Sequence, residues 1–128
     1  MKRIIIDLDE TLTIGSDAEY SDASPNTKVI RALREYRARG YEIAINTSRN
    51  MRTFEGCVGK INVHTLPVIL DWLQRHDVPY DEVYVGKPWC GKDGFYVDDR
   101  AIRPSEFASM SESEIQQLLR DELAGRVQ

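Results

Sequence analysis

Residues 3–6, Arg-Ile-Ile-Ile, form a short apolar run that stops abruptly at Asp7-Leu8-Asp9. An apolar run this short, without polar alternation, is the pattern of a strand covered on both faces, the condition of strands in a parallel sheet. Further strands are expected at 41–46 (YEIAIN), at 81–85 (DEVYV, stopped by Gly86-Lys87-Pro88) and at 95–97 (FYV, ending in Asp98-Asp99). Helical signals separate them. Ser24 reads as an N-cap with Pro25 at the first helical position, Val29, Ile30, Leu33 and Tyr36 as an apolar stripe, and Gly40 as the residue past the end. A second helix is expected over 66–76, with Pro67 near its start and Ile69, Trp72 and Leu73 on its apolar side. Ser111 and Glu114 form a capping box ahead of Ile115, Leu118 and Leu119, with Gly125 as a stop. Residues 10–24 read as an irregular excursion or small hairpin, and 50–64 as an unusually long loop without periodicity, a kind of segment that often carries function.

Strands that alternate with helices build βαβ units with right-handed crossovers. The expected fold is therefore α/β, a three-layer α/β/α Rossmann-like parallel sheet in one domain spanning 1–128. Its ligand belongs outside the carboxyl ends of the strands.

The chain has 128 residues and a formal net charge of −4. A chain of this size buries roughly two-thirds of its unfolded surface, enough for one core without staples. The mild acidity disfavours nucleic acid or an anionic membrane as partner. No apolar run approaches the roughly 18 residues of a membrane span, and MKRIIIDLDE lacks the apolar core of a signal peptide. Cys57 and Cys90 stand far apart without a CxxC, which fits a reducing cytoplasm.

The strand ends carry the chemistry. The first is followed by Asp7 and Asp9, the second by Thr47, the third by Lys87 and the fourth by Asp98 and Asp99. Asp-x-Asp alone means little, because eleven Asp in this chain produce about one such pair by chance. Joint placement at one sheet edge is the informative feature. Residues two apart in a strand face the same way, so Asp7 and Asp9 share a space while Leu8 turns inward. Four carboxylates repel one another unless a cation joins them. A hard divalent ion such as Mg²⁺, with oxygen ligands and retained waters, answers that need, and Lys87 adds positive charge. The economical substrate for a carboxylate nucleophile beside two cations is a dianionic phosphoryl group.

The run DLDET at 7–11, Thr47 in IAINTSR, Lys87 in VGKP and Asp98-Asp99 in FYVDD resemble, in order and spacing, the four motifs of the haloacid dehalogenase superfamily of Mg²⁺-dependent phosphohydrolases. The stretches NTSRNMRTFEGCVGKINVHTLP and VGKPWCGKDGFYVDDRAIRPSEFA are similar to a group of small bacterial members described as capsule biosynthesis phosphatases. The resemblance implies that Asp7 is the nucleophile and that Asp9 protonates the leaving oxygen and then activates water. Thr47, with Ser48, and Lys87 would bind the phosphoryl group. Mg²⁺ would take Asp7, the Asp9 carbonyl and Asp98, with Asp99 nearby. Glu10 stands where the family usually has a small residue. The gaps between motifs leave no room for a cap domain, so a capless member with an open site is expected.

Arg49, Arg52, Trp89 and Arg100 lie in loops that should ring the site and are candidate contacts for the leaving group. The expected substrate is a small phosphorylated metabolite, a sugar or polyol phosphate of capsule metabolism. A second copy of the chain is a candidate to close the open site. Two other readings compete. A phosphorylation-switched receiver domain would carry its accepting Asp at the end of the third strand, where this chain has Val85-Gly86-Lys87. A silent metal- or phosphate-binding module on the same fold would be expected to have lost an essential position, and none is lost.

Overall fold

The computed structural model describes residues 2–15 and 20–125. Strand β1, Arg3–Ile6, is followed by a short antiparallel ribbon of β2, Thr13–Ile14, and β3, Ser24–Pro25, paired Thr13 to Pro25 and Ile14 to Ser24. The small hairpin expected within 10–24 is therefore present, though 16–19 lie outside the described residues. Helix α1 covers Thr27–Ala38, β4 Glu42–Thr47, α2 Val58–His64, α3 Leu66–Arg75, β5 Glu82–Val85, α4 Pro104–Ser109 and α5 Glu112–Gly125. Among the described residues, no helix is long and apolar enough to cross a membrane. Cys57 and Cys90 are free thiols.

The main sheet is parallel, in the order β1-β4-β5, with Ile6 beside Ile45 and Thr47 beside Val85. The expected α/β class is realised as this parallel sheet with its flanking helices. Central β4 is the strand that is covered on both faces, with Ile43, Ala44 and Ile45 at zero exposure. The same expectation fails for β1, which pairs with β4 alone among the described residues and leaves Ile5 61% exposed. An edge strand can be as apolar as a central one when its residues are β-branched, because Ile suits any pleated backbone.

Helix α1 begins two residues later than Ser24-Pro25 suggests. Those two residues are spent in β3, and Asn26 caps the helix by accepting from the Val29 N–H at 3.4 Å. Its stripe is as read: Val29, Ile30, Leu33 and Tyr36 are all buried. Helix α3 buries Ile69, Trp72 and Leu73, and the Trp72 indole N–H donates to the Ala23 carbonyl at 2.8 Å, tying the ribbon to the core. Half of the expected loop at 50–64 is instead helical. Residues 49–56 turn, and α2 follows with Ile61 as its one buried side chain. One buried residue in seven is too weak a period to read from sequence.

Two compact units divide the chain, Met1–Trp89 and Cys90–Gln128. The second has α4, which sequence periodicity did not reveal, and α5, whose capping box is formed. The Glu114 N–H donates to Ser111 Oγ at 3.2 Å, and the Ser111 N–H donates to Glu114 Oε1 at 2.8 Å. The strand expected at 95–97 is absent. Phe95, Tyr96 and Val97 are 74%, 51% and 91% exposed, and the second unit offers no strand among its described residues to complete a ladder within it.

Candidate active site

All three strands of the main sheet run the same way, so their carboxyl ends lie at one edge. Asp7 and Asp9 follow β1, Thr47 closes β4, and Lys87 follows β5 after a single residue. That residue has to be Gly86. Its φ is +87°, and a Cβ there would stand 2.9 Å from Val58 Cγ2, so any other side chain would push α2 away or move Lys87.

After β1 the chain coils around one acceptor. The Leu8 carbonyl receives the N–H groups of Leu12 at 2.8 Å and Thr13 at 3.1 Å, with Thr11 at 3.3 Å. Glu10 takes φ +62° in this turn and its N–H donates to Thr13 Oγ1 at 3.1 Å. The coil presents Asp7 to two donors. Lys87 Nζ stands 3.4 Å from Asp7 Oδ1, and Thr11 Oγ1 donates to Oδ2 at 3.3 Å. Burial pushes the Asp7 carboxyl above its ordinary value, and the Lys87 charge and these hydrogen bonds pull it back only in part. The resemblance assigns Thr11 no role, and its place four residues after Asp7 is the available signal for this contact.

Asp9 has a different partner. Arg49 Nε donates to Asp9 Oδ2 at 3.1 Å and Arg49 Nη2 donates to Oδ1 at 2.7 Å, a two-pronged pair. The Arg49 side chain is 1% exposed and the Asp9 side chain 35%. Tyr20 lies over the guanidinium, its ring centre 4.1 Å from Cζ. Arg49 is thus not on the open loop that its position after Thr47 suggests. It is buried at the sheet edge. Nothing in the residue types marked Tyr20, which reaches the site through the ribbon.

Thr47 is 1% exposed, and its Oγ1 accepts the Arg49 N–H at 3.1 Å, which leaves the hydroxyl hydrogen to donate elsewhere. Ser48 is half-buried, and its carbonyl accepts the Met51 N–H at 3.0 Å in the turn that follows. Arg52 and Trp89 are exposed on the first unit. Asp98, Asp99 and Arg100 belong to the second unit, where Asp98 Oδ1 accepts the Arg100 N–H at 2.9 Å. Among the described residues, no group of three or more His, Cys, Asp or Glu stands ready to hold a metal. The first unit does bring together Asp7, Asp9, Thr47, Arg49 and Lys87.

A parallel sheet that gathers two carboxylates, a hydroxyl and a Lys at the ends of its strands has the form of an α/β enzyme core. A family model for haloacid dehalogenase-like hydrolases matches residues 4–71, more than half of the chain, and the protein belongs to that family. Among the described residues, no inserted cap stands between β1 and β4 or between β4 and β5, in line with a capless member. The crystal structure of an MCSG target from Vibrio cholerae is similar at 61% identity, over 95% of this chain and 99% of that one, with a TM-score of 0.93. A chain of a Pnkp1/Rnl/Hen1 complex shares the fold alone, at 21% identity and a TM-score of 0.50, over 85% of this chain and 34% of that one. No curated protein matches this chain.

Proposed function

We propose that this hydrolase is a Mg²⁺-dependent phosphomonoesterase that works through phospho-Asp7, acting in the cytoplasm on a small sugar or polyol phosphate of capsule or polysaccharide metabolism. The observation that carries the reading is Asp7 itself, a half-buried carboxylate at a strand end, between Lys87 and Thr11. Partial removal from water makes its charge costly and its oxygen a better nucleophile, and the Lys charge beside it suits an incoming phosphoryl dianion.

In the first step an Asp7 oxygen attacks phosphorus and the ester bond to the leaving oxygen breaks, while Asp9 gives that oxygen a proton. In the second, Asp9 takes a proton from water, the water oxygen attacks phosphorus, and the bond to Asp7 breaks to release phosphate. Thr47 donates its free hydroxyl hydrogen to a phosphoryl oxygen, with Ser48 next to it, and Lys87 balances the charge. Two carboxylates, with no His or Cys cluster among the described residues, suit a hard ion that keeps waters and substrate oxygens as ligands. Asp7 and the Asp9 carbonyl would hold Mg²⁺, with Asp98 and Asp99 as further carboxylates by family resemblance. Bound there, the ion supplies neutralisation of the phosphoryl charge.

The test is a phosphatase screen over sugar, polyol, nucleotide and phospho-amino-acid substrates with Mg²⁺, alongside a generic aryl phosphate. Turnover should be fastest on sugar or polyol phosphates and vanish with a chelator. Asp7→Asn should lower the aryl phosphate rate by about 10³-fold or more with the fold intact. Activity that survives either change defeats the mechanism, and failure on all four substrate classes favours a binding module.

A further inference from the structure

We infer that Arg49 is a positioning residue that fixes the carboxylate of Asp9, with Tyr20 as its cover; the inference rests on the role of Asp9 proposed above. The chain is built to deliver this side chain. Arg49 follows the end of β4 by two residues, its N–H anchored on Thr47 Oγ1 at 3.1 Å. Asn50 then takes φ +61° and the Met51 N–H closes on the Ser48 carbonyl at 3.0 Å, so the backbone turns at once. From this fixed base the side chain reaches across to the end of the neighbouring strand.

A single donor would restrain one oxygen and leave the carboxylate free to spin about χ2. The fork of Nε and Nη2 on Oδ2 and Oδ1 sets its plane as well as its position, which a planar guanidinium can do and a point-charge ammonium cannot. Each carboxylate oxygen has two lone pairs, and the fork uses one on each. The other pair on each oxygen remains for proton exchange on the open side, where Asp9 keeps its 35% exposure. Arg49 has no such open side. Its side chain is 1% exposed beneath the Tyr20 ring, and Nη1, the nitrogen the fork does not use, is buried without a hydrogen-bond partner among the described residues. The aromatic face keeps water off the guanidinium, and a cation–π contact of this kind is stronger once desolvated. A group that transfers a proton in both steps must hold its place to within a fraction of an ångström, and misplacement by about 1 Å can cost on the order of 10²-fold in rate.

Steady-state kinetics on an aryl phosphate with Mg²⁺ provide the test, together with ¹⁵N spectra of the Arg49 Nε–H. Arg49→Ala should lower kcat by about 10²-fold while KM stays within about threefold, and Arg49→Lys should recover only part of the loss. Tyr20→Ala should cost about threefold to tenfold in kcat. In an Asp9→Ala background, Arg49→Ala should cost nothing further, because its effect runs through Asp9. A rise in KM with kcat unchanged would make Arg49 a substrate contact and overturn the inference. So would a full additional loss in the Asp9→Ala background, which would mark Arg49 as structural. The spectra need no turnover: a slowly exchanging Nε–H that loses its shift in Asp9→Ala reports the pair directly. Its absence overturns the inference at the root. Its presence in an enzyme inactive on every phosphate ester leaves the pair standing and removes the phosphatase reading instead.

Discussion

The two units of the chain spend their sequence differently. In Met1–Trp89 nearly every apolar stripe is buried, and the groups at the strand ends hold one another: Lys87 on Asp7, Arg49 on Asp9, the Arg49 N–H on Thr47. In Cys90–Gln128 only Ile115 and Leu119 are buried hydrophobics among the described residues, while Phe95 and Val97 stand in the open beside Asp98 and Asp99. The lesson is that side-chain precision follows strand ends anchored in a core. Asp7 and Asp9 inherit their places from β1 and its coil around the Leu8 carbonyl. Asp98 has a turn of its own making, closed on the Arg100 N–H.

Core truncation should expose this contrast most strongly. Leu33 has zero exposure on α1, so Leu33→Ala should destabilise by about 2–5 kcal/mol through lost transfer energy and a residual cavity. Leu119 on α5 keeps 8% exposure in a thinner shell, and Leu119→Ala should cost about 2 kcal/mol or less, because such a site collapses more easily. Denaturant unfolding of both variants measures the difference. Equal losses would mean that the second unit is as tightly packed as the first.

The same contrast explains what the sequence could disclose. β1, β4, β5, α1 and α3 were legible because each carries a strong apolar pattern, and the strand-end residues followed from the parallel topology. Helix α2, with only Ile61 buried, and α4, with no buried residue, give no periodic signal to read. The FYV run at 95–97 illustrates the opposite error. Its composition favours a strand, but a strand exists only with a ladder partner, and partners are a property of the fold rather than of three residues. The Arg49 fork on Asp9 spans forty positions, and Tyr20 lies in a segment without period, so neither contact could be read from local spacing.

A smaller effect tests whether the second unit's carboxylates serve the reaction. On the family's pattern, Asp98→Asn should raise the Mg²⁺ concentration for half-maximal activity by about tenfold or more, with little change in melting temperature. An unchanged Mg²⁺ requirement would confine the chemistry to the ends of β1, β4 and β5.

The smallest effect is a matter of sign. In metal-free buffer the Asp7 carboxyl titrates above its ordinary value because burial penalises its charge more than Lys87 and the hydrogen bonds relieve it. The folded state therefore binds the Asp7 proton more tightly than the unfolded state does. The stability this contributes is fully present below the unfolded pKa of 3.8 and is lost as pH rises through the folded value. Asp81 works the other way. Its carboxyl, which accepts the Ile43 N–H at 2.9 Å and pairs with Arg37, titrates below the ordinary value, so its contribution is present above 3.8 and lost as pH falls through the lower folded value. The clean measurement is consequently a difference, Asp7→Asn minus wild type, in which Asp81 cancels. Without metal, the variant should gain on the wild type as pH rises from about 3 to 7, as read by thermal melting. Millimolar Mg²⁺ should reverse the order at neutral pH by stabilising the wild type alone, since the amide offers no charge to neutralise. A variant that instead loses ground as pH rises would show that Lys87 outweighs burial at Asp7, and the strand-end carboxylate would then be a satisfied ion pair rather than a charge in need of a cation.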